Sequence, residues 1–465
     1  MSEEPRDTFA PFQRKLQAEQ SHELSIASFR RNYQMLVQGD TGRISRTEID
    51  PVESVPALDE IDQQASQANL LSKVVMIKLN GGLGTSMGLD RPKSVIPVRD
   101  DLSFLDIIAR QVIAANKQYA IDIPLVFMNS FNTHEDTERS LEPYTELRSD
   151  IPFDFLQNKV PKVMADSLEP ARWEANPELE WCPPGHGDIY ISLVTSGMLE
   201  MLLDRGYEYA FVSNADNLGA TLEPAIVDYM HRTGTDFLME VARRTPADRK
   251  GGHLAKRKDG GLGLRERAQC PPEEEQEFQD IGLYKYFNTN TLWIHLPSLR
   301  ELMKRHGNVL PLPLIRNEKT VDPRDPESPK VYQLETAMGS AISLFDNAQA
   351  LLVPRTRFAP VKTTDDLLVV RSDAYTLTDD YRVVPSQDCT VENVTVELDK
   401  EHYKLLDQLK AAFPSGPPSL KDCEMLTIIG PYTFGSGVVC KGVVELHNDG
   451  HEKAAIPDNS VLGNG

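Results

Sequence analysis

The chain has 465 residues, of which 40% are hydrophobic and 26% are charged, and its net charge is −21. This composition is typical of a globular protein of about three domains, and the negative charge argues against a nucleic-acid surface, which needs a basic stripe. The five cysteines form no C-x-x-C pair, the N-terminus lacks the apolar core of a secretory signal, and no apolar run has the length of a membrane span, so we expect a cytoplasmic protein.

Short apolar runs alternate with helical patterns over much of the chain. Residues 8–40 have helical periodicity, and further helices are predicted over 104–119 and 189–201. Between them, buried strands are predicted at 74–79, 124–128, 151–156 and 206–213. This alternation predicts an α/β fold with a largely parallel sheet, whose ligands gather beyond the carboxyl ends of the strands.

The second half of the chain has a different pattern. Strands are predicted at 237–242, 262–268 and 284–293, and an exposed loop is predicted over 315–330. Helices are predicted from residue 334 to residue 344 and over 400–412. Near the C-terminus, apolar residues recur every six positions at Ile428, Phe434, Cys440 and Leu446. This period indicates a left-handed parallel β-helix, with a short β-meander as the alternative.

The glycine-rich stretch over residues 73–94 reads KVVMIKLNGGLGTSMGLDRPKS. Glycines after a strand let backbone N–H groups approach an anion, and Lys93 can neutralise phosphate charge. The spacing matches neither the Walker A loop nor the dinucleotide-binding fingerprint. On this stretch alone, a phosphate-binding loop and a structural turn both remain open.

Four further residues are candidates from their local context. Asp216 follows a strand in SNADNLG and suits a Mg²⁺ ligand, although Asp and Asn are also ordinary turn residues. His186 lies between two glycines in PPGHGD, and Lys362 follows an apolar stretch in APVKTT. Gln157 in FLQNK has an amide that could read a base edge. No G-x-S-x-G, H-E-x-x-H or Cys/His cluster supports covalent or zinc chemistry.

Eight motifs taken in order resemble one family. They are LNGGLGTSMG with PKS, MNSFNT, PPGHGD, SNADNLGA, KGG, FNTNTLW, QLETAMGSAI and APVKTTDDLLVV. Together they resemble the eukaryotic-type UTP–glucose-1-phosphate uridylyltransferases, or UDP-glucose pyrophosphorylases, over about residues 70–370. The resemblance implies a Rossmann-like nucleotide-diphospho-sugar transferase domain with a helical N-terminal part and a small C-terminal left-handed parallel β-helix.

The same resemblance implies the site residues. It assigns UTP binding to Leu79, Asn80, Gly81, Gly82, Lys93, Gln157, Gly185, Asp216 and Lys362. It assigns the glucose 1-phosphate pocket to His186, Asn214, Gly252 and Asn290. Lys93 and Lys362 would be catalytic through phosphate contacts, Gln157 and Gly185 would recognise uracil, and Asp216 would bind Mg²⁺.

The expected domains are a helical segment at 1–70, a nucleotidyltransferase domain at 71–371 and a β-helix domain at 372–465, through which a homo-oligomer would form. The expected reaction is Mg²⁺-dependent transfer of UMP from UTP to glucose 1-phosphate. Two departures from the family pattern are Ala215, where an Ile is usual, and the FLQNK segment, whose basic contacts are less defined.

Two alternatives remain open at this stage. The chain could be a uridylyltransferase for another sugar 1-phosphate, although those families carry a basic residue where Ser86-Met87-Gly88 stands here. It could also be a non-catalytic nucleotide-sugar-binding protein, against which the retained Lys93, Asp216 and Lys362 argue.

Overall fold

The computed structural model describes residues 7–61, 68–84, 87–89, 91–391 and 394–463. Ser86, on which the choice between sugar substrates rests in part, lies outside the described residues. Residues 1–6, which form part of the N-terminal stretch that is predicted to lack a secretory signal, also lie outside the described residues. In the part of the chain that is described, no helix combines the length and apolar character needed to cross a bilayer.

The helices follow the predicted pattern closely in the first half of the chain. The α-helices are α1 (Ala10–Ala18), α2 (Glu23–Val37), α3 (Ala68–Leu71), α4 (Phe104–Tyr119), α5 (His134–Leu141), α6 (Ile189–Thr195), α7 (Met198–Asp204), α8 (Pro224–Thr233), α9 (Glu275–Phe278), α10 (Leu296–Arg305), α11 (Thr364–Arg371), α12 (Lys400–Tyr403) and α13 (Leu406–Ala412). The helix predicted over 189–201 is divided into α6 and α7, because Gly197 adopts a left-handed conformation with φ 76°.

The strands are numbered in chain order. They are β1 (Ile49–Pro51), β2 (Val74–Asn80), β3 (Pro97–Arg99), β4 (Leu102–Ser103), β5 (Leu125–Asn129), β6 (Asp154–Leu156), β7 (Val160–Pro161), β8 (Val163–Met164), β9 (Trp181–Cys182), β10 (Tyr209–Asn214), β11 (Phe237–Arg243), β12 (His253–Arg257), β13 (Leu262–Arg265), β14 (Tyr286–His295), β15 (Ile315–Thr320), β16 (Lys330–Glu335), β17 (Ala348–Leu352), β18 (Tyr375–Leu377), β19 (Val383–Pro385), β20 (Thr395–Leu398), β21 (Ser419–Ile429), β22 (Tyr432–Phe434), β23 (Val439–His447), β24 (Ala454–Ile456) and β25 (Val461–Leu462).

A central mixed sheet organises the molecule, with the order β1-β12-β14-β10-β2-β5-β6. Its middle strands β10, β2, β5 and β6 are parallel, as the sequence predicts. Strand β2 is buried on both faces: Val74 and Met76 pack into one hydrophobic cluster, and Val75 and Ile77 pack into another. A strand that is buried on both faces has a continuous run of apolar residues, and for this reason the sequence alone predicts β2.

The strands of residues 237–295 extend the same sheet. β14 pairs antiparallel with β10 and with β11, and β11 in turn pairs parallel with β17. The register of β14 shifts between its pairing with Glu240 and with Val241, and Asn290 at this bulge has φ 57°. A bulge re-aims side chains locally, and this one lies at a residue that was predicted to bind sugar phosphate.

The described strands from β20 to β25 pair in parallel, whereas β18 and β19 before them pair antiparallel. β21 pairs with β20 and β23, β23 pairs with β25, and β22 pairs with β24. Ile428 of β21 lies opposite Leu446 of β23, three hexads later in the chain. Parallel pairing throughout this segment is inconsistent with a β-meander, which is antiparallel.

Two predictions about the second half of the chain are wrong. The segment 315–330 contains strand β15, which pairs with β16, and is therefore not a continuous exposed loop. The helix predicted from residue 334 is instead the end of β16 followed by a 3₁₀ helix, Met338–Ser343. Charged edge strands lack the apolar alternation by which strands are recognised, and pairing between β15 and β16 overrides the local helical propensity.

Candidate active site

The site is built at the carboxyl ends of the parallel strands. Leu79 at the end of β2 lies beside Asn214 at the end of β10, and the N–H of Ala215 donates to the Leu79 carbonyl (3.0 Å). On the other side of β2, Asn80 lies beside Asn129 of β5. The loops that follow these three strands therefore begin at one edge of the sheet.

A lysine–carboxylate pair occupies this edge. Lys93 Nζ donates to Asp216 Oδ2 over 2.8 Å, and both side chains are largely buried. Asp216 Oδ1 is buried and has no hydrogen-bond partner in the described part of the chain. An unpartnered carboxylate oxygen fits a hard cation such as Mg²⁺, which binds through one or two carboxylates and substrate phosphates. Within the described residues, no cluster of three or more metal-binding side chains offers an all-protein alternative.

Lys362 is held close to this pair by the backbone. The N–H of Val361 donates to the Asp216 carbonyl (3.1 Å), and the N–H of Lys362 donates to Asp366 Oδ2 (2.7 Å) at the start of α11. The side chain of Lys362 itself is exposed. The backbone beside Lys362 therefore contacts Asp216, which brings a second lysine close to the Lys93–Asp216 pair in a protein of net charge −21.

Gln157 lies directly against the glycine-rich loop. A Cβ added to Gly81 would lie 2.2 Å from Gln157 Nε2, so a larger residue here would displace the Gln157 side chain. A Cβ on Gly82 would face open space, and nothing in the structure requires glycine there. The close approach of Gly81 places the side-chain amide of Gln157 beside the loop after β2.

Gly185 and His186 lie on a loop that packs against residues 336–338. Gly185 has φ 82°, and a Cβ there would lie 2.5 Å from the Thr336 carbonyl oxygen. The N–H of Met338 donates to His186 Nδ1 (3.1 Å), so the neutral ring carries its proton on Nε2. Burial lowers the pKa of His186 to about 4. His186 is therefore a neutral hydrogen-bond donor near pH 7.

We expect His186 to titrate near pH 4. Because the pKa of the folded state lies below that of an unfolded histidine, about 6.5, the folded chain binds fewer protons between these values and loses stability as pH falls through this window. Ring ¹⁵N NMR shifts recorded from pH 7 downward would measure this pKa, with His186→Asn identifying the signal. A titration midpoint near 6.5 would contradict the expectation.

Gly252 lies between Glu266 and the start of strand β14. A Cβ on Gly252 would lie 2.3 Å from Glu266 Oε2, and the Gly252 carbonyl accepts from the N–H of Asn288 (3.2 Å). Asn288 Nδ2 donates to Asn290 Oδ1 over 2.8 Å. Burial raises the pKa of Glu266, and the Lys362 ammonium opposes this rise. Glu266 therefore packs against Gly252 and interacts electrostatically with Lys362.

Leu79, Asn214 and the Lys93–Asp216 pair lie together at the sheet edge, and the binding roles of all the predicted residues stay predictions. Two carboxylates that the sequence analysis did not identify complete the arrangement. Glu266 comes from the end of the β12–β13 hairpin, within an ordinary charged run. Asp188 accepts from the N–H of Asn158 (2.7 Å) and so connects the Gln157 loop to the His186 loop. The PPGHGD motif was the only sequence signal for Asp188.

Sequence comparison relates the chain to enzymes of known name. The family profile described as UTP–glucose-1-phosphate uridylyltransferase matches residues 26–441. The Solanum tuberosum protein of this name is 42% identical over 417 residues, covering 89% of this chain and 84% of its own length. The Saccharomyces cerevisiae protein of this name is 43% identical over 407 residues, covering 87% of this chain and 80% of its own.

Solved structures give the same relationship. The UDP-glucose phosphorylase of Trypanosoma brucei is 45% identical with a TM-score of 0.93, and the alignment covers 98% of each chain. A UDP-glucose pyrophosphorylase variant from Leishmania major, solved in complex with UDP-glucose, is 44% identical with a TM-score of 0.92, covering 98% of each chain. The likeness therefore extends over nearly the entire fold.

Proposed function

The chain belongs to the UTP–glucose-1-phosphate uridylyltransferase family, and from this membership we propose that it transfers UMP from UTP to glucose 1-phosphate, releasing UDP-glucose and pyrophosphate. The observation that carries the proposal for this chain is the Lys93–Asp216 pair at the carboxyl ends of the parallel strands. There, Asp216 Oδ1 has no hydrogen-bond partner among the residues that the structure describes.

The reaction needs positioning and charge neutralisation more than covalent chemistry. A phosphate oxygen of glucose 1-phosphate attacks the α-phosphorus of UTP in line; a new P–O bond forms, and the bond between the α-phosphorus and the bridging oxygen breaks. Pyrophosphate leaves with the electron pair. Because two anions must meet, Lys93 and Lys362 would reduce their repulsion and stabilise charge in the transition state.

We assign the metal-binding role to Asp216. Its Oδ1 atom would hold Mg²⁺, which supplies additional neutralisation of the nucleotide phosphates when bound. Lys93 donates to the other oxygen of the same carboxylate and so holds the side chain in place. The residue thus presents one fixed anionic oxygen toward the phosphates.

Different loops would bind the uracil end and the glucose end of UDP-glucose. Gln157 and Gly185 would contact uracil, with Leu79, Asn80, Gly81 and Gly82 offering backbone groups to the nucleotide. His186 would donate from Nε2 to glucose 1-phosphate, beside Asn214, Gly252 and Asn290. The carboxylate of Glu266 lies against Gly252 and would accept from a sugar hydroxyl.

For the C-terminal segment, we propose the left-handed parallel β-helix. Exclusively parallel pairing from β20 to β25 supports it, as does burial of Ile428, Phe434 and Cys440 in the hydrophobic core. The division into domains at 1–70, 71–371 and 372–465, a homo-oligomer formed through the last of these, and a cytoplasmic location stay predictions.

A coupled assay for UDP-glucose tests the function. Purified protein with UTP, glucose 1-phosphate and Mg²⁺ is expected to release pyrophosphate and UDP-glucose, and EDTA is expected to stop both. A panel of other sugar 1-phosphates under the same conditions measures the selectivity for glucose. Faster turnover of another sugar 1-phosphate would favour the first alternative, and nucleotide-sugar binding without turnover would favour a non-catalytic protein.

A further inference from the structure

Two amide side chains meet in the interior beneath the glycine-rich loop. Asn80 and Asn129 are both buried, at the ends of neighbouring parallel strands. Asn80 Nδ2 donates to Asn129 Oδ1 (2.9 Å) and to Thr137 Oγ1 (2.9 Å) of helix α5. Both N–H groups of the Asn80 amide are thereby used within the protein, so its side chain anchors the loop.

The orientation of the Asn129 amide is fixed by a carboxylate. Asn129 Nδ2 donates to Asp154 Oδ2 over 2.8 Å, and the same oxygen contacts His134 Nδ1 over 2.6 Å. An ionised carboxylate only accepts hydrogen bonds, so the Nδ2 group of Asn129 must face Asp154. The Oδ1 atom of Asn129 must then face Asn80, where it accepts the hydrogen bond that Asn80 Nδ2 donates.

The backbone of Asn129 supports the other side of the same pocket. Its carbonyl accepts from the N–H of Gln157 over 2.7 Å. Gly81, the residue after Asn80, packs on the Gln157 amide, which a Cβ at position 81 would displace. Asn129 therefore holds the loop after β2 through its side chain and the base-reading Gln157 through its main chain.

We propose that Asn129 is a positioning residue for the uridine nucleotide, setting the distance between the backbone of the glycine-rich loop and the amide of Gln157. The proposal rests on the proposed function, because it takes UTP as the ligand of these two elements. No contact described for Asn129 involves His186, Gly252 or Asn290 of the proposed glucose 1-phosphate pocket, so its influence is directed at the nucleotide and not at the sugar phosphate.

The first test replaces Asn129 with aspartate. Asn129→Asp keeps the size of the side chain but places two carboxylates together, because Asp154 would then face an acceptor. We expect UTP binding, measured by calorimetry, to weaken about 10-fold, with the KM for glucose 1-phosphate changed by less than about 3-fold. The defect should ease at lower pH, where the carboxylate pair takes up a proton. The other charged groups near this pair are His134 and, beside it, Glu135 and Glu138.

The second test exchanges the two polarities. In Asn129→Asp/Asp154→Asn, the new amide at position 154 can donate to the new carboxylate at 129, which still accepts from Asn80. UTP affinity is expected to return to within about 3-fold of wild type. Ser140→Ala, on the same helix as Thr137, is the matched control and should bind UTP like wild type. Thermal unfolding of each variant reports separately on folding.

Three results would overturn the proposal: wild-type UTP affinity in folded Asn129→Asp, an equal loss of affinity for both substrates, or no recovery in the double variant. If Asn129→Asp does not fold, Thr137→Val removes the second partner of Asn80 and should weaken UTP binding in the same direction; unchanged binding would count against the proposal. If the wild-type protein itself binds no UTP, the proposed function fails, and this inference fails with it.

Discussion

Replacing Lys362 with alanine is expected to lower kcat by about 10³-fold, the size of effect seen when a cation that stabilises phosphoryl-transfer charge is removed. The side chain is exposed, and the backbone N–H bond to Asp366 does not depend on it, so the fold should survive. Steady-state kinetics of UDP-glucose formation would measure the loss, and thermal unfolding would show that the protein remains folded.

Two companion variants sharpen the result for Lys362. Lys304→Ala removes an exposed lysine of α10 that is paired with Glu301 and should retain wild-type kcat. Lys362→Arg keeps the charge but changes its shape, and an intermediate kcat is expected because Arg and Lys are not interchangeable at a phosphate. Wild-type turnover by Lys362→Ala would remove this lysine from the mechanism.

Replacing Asp216 with asparagine is the second large effect that we expect. The change preserves size but removes the anionic oxygen that would hold Mg²⁺ and the charge partner of Lys93. We expect kcat to fall about 10²- to 10³-fold and the Mg²⁺ concentration for half-maximal activity to rise. A Mg²⁺ titration of wild-type and variant enzyme at saturating UTP measures both quantities.

The control for Asp216→Asn is Asp346→Asn. This change neutralises an exposed carboxylate that pairs with Arg305, and it should leave the Mg²⁺ titration unchanged. It corrects for the small change in net charge that both substitutions share. An Asp216→Asn enzyme with an unaltered Mg²⁺ requirement would show that the metal is held elsewhere.

Much of the central sheet could be predicted because its strands are enclosed on both faces. The helix predicted over 104–119 agrees with α4 at both ends, and the strand predicted at 74–79 differs from β2 by one residue. Most of the candidate ligand-binding residues, whose roles stay predictions, could be named for a related reason: they lie at the end of a predicted strand or beside a glycine. The resemblance to a family then supplied a role for each candidate, which local patterns alone could not.

What escaped prediction depends on partners distant in the chain. Strand β15 is polar at most positions and is stabilised by pairing with β16, where Lys330 also contacts Glu318. Glu266 meets Gly252 only because the β12–β13 hairpin places His253 opposite Arg265. Asn129 belongs to a quoted motif, yet its importance follows from contacts with Asn80 and Gln157, which local sequence does not reveal.

The hydrophobic cluster on one face of β2 also sets the order in which the chain can complete its fold during synthesis. Met76 belongs to the same cluster as Leu426, Phe434 and Val444 from the C-terminal strands. The ribosome makes β2 long before the C-terminal strands that share its hydrophobic cluster. Until those strands are made, the cluster is incomplete and the nascent chain exposes apolar surface, and in this interval chaperones and aggregation compete for it.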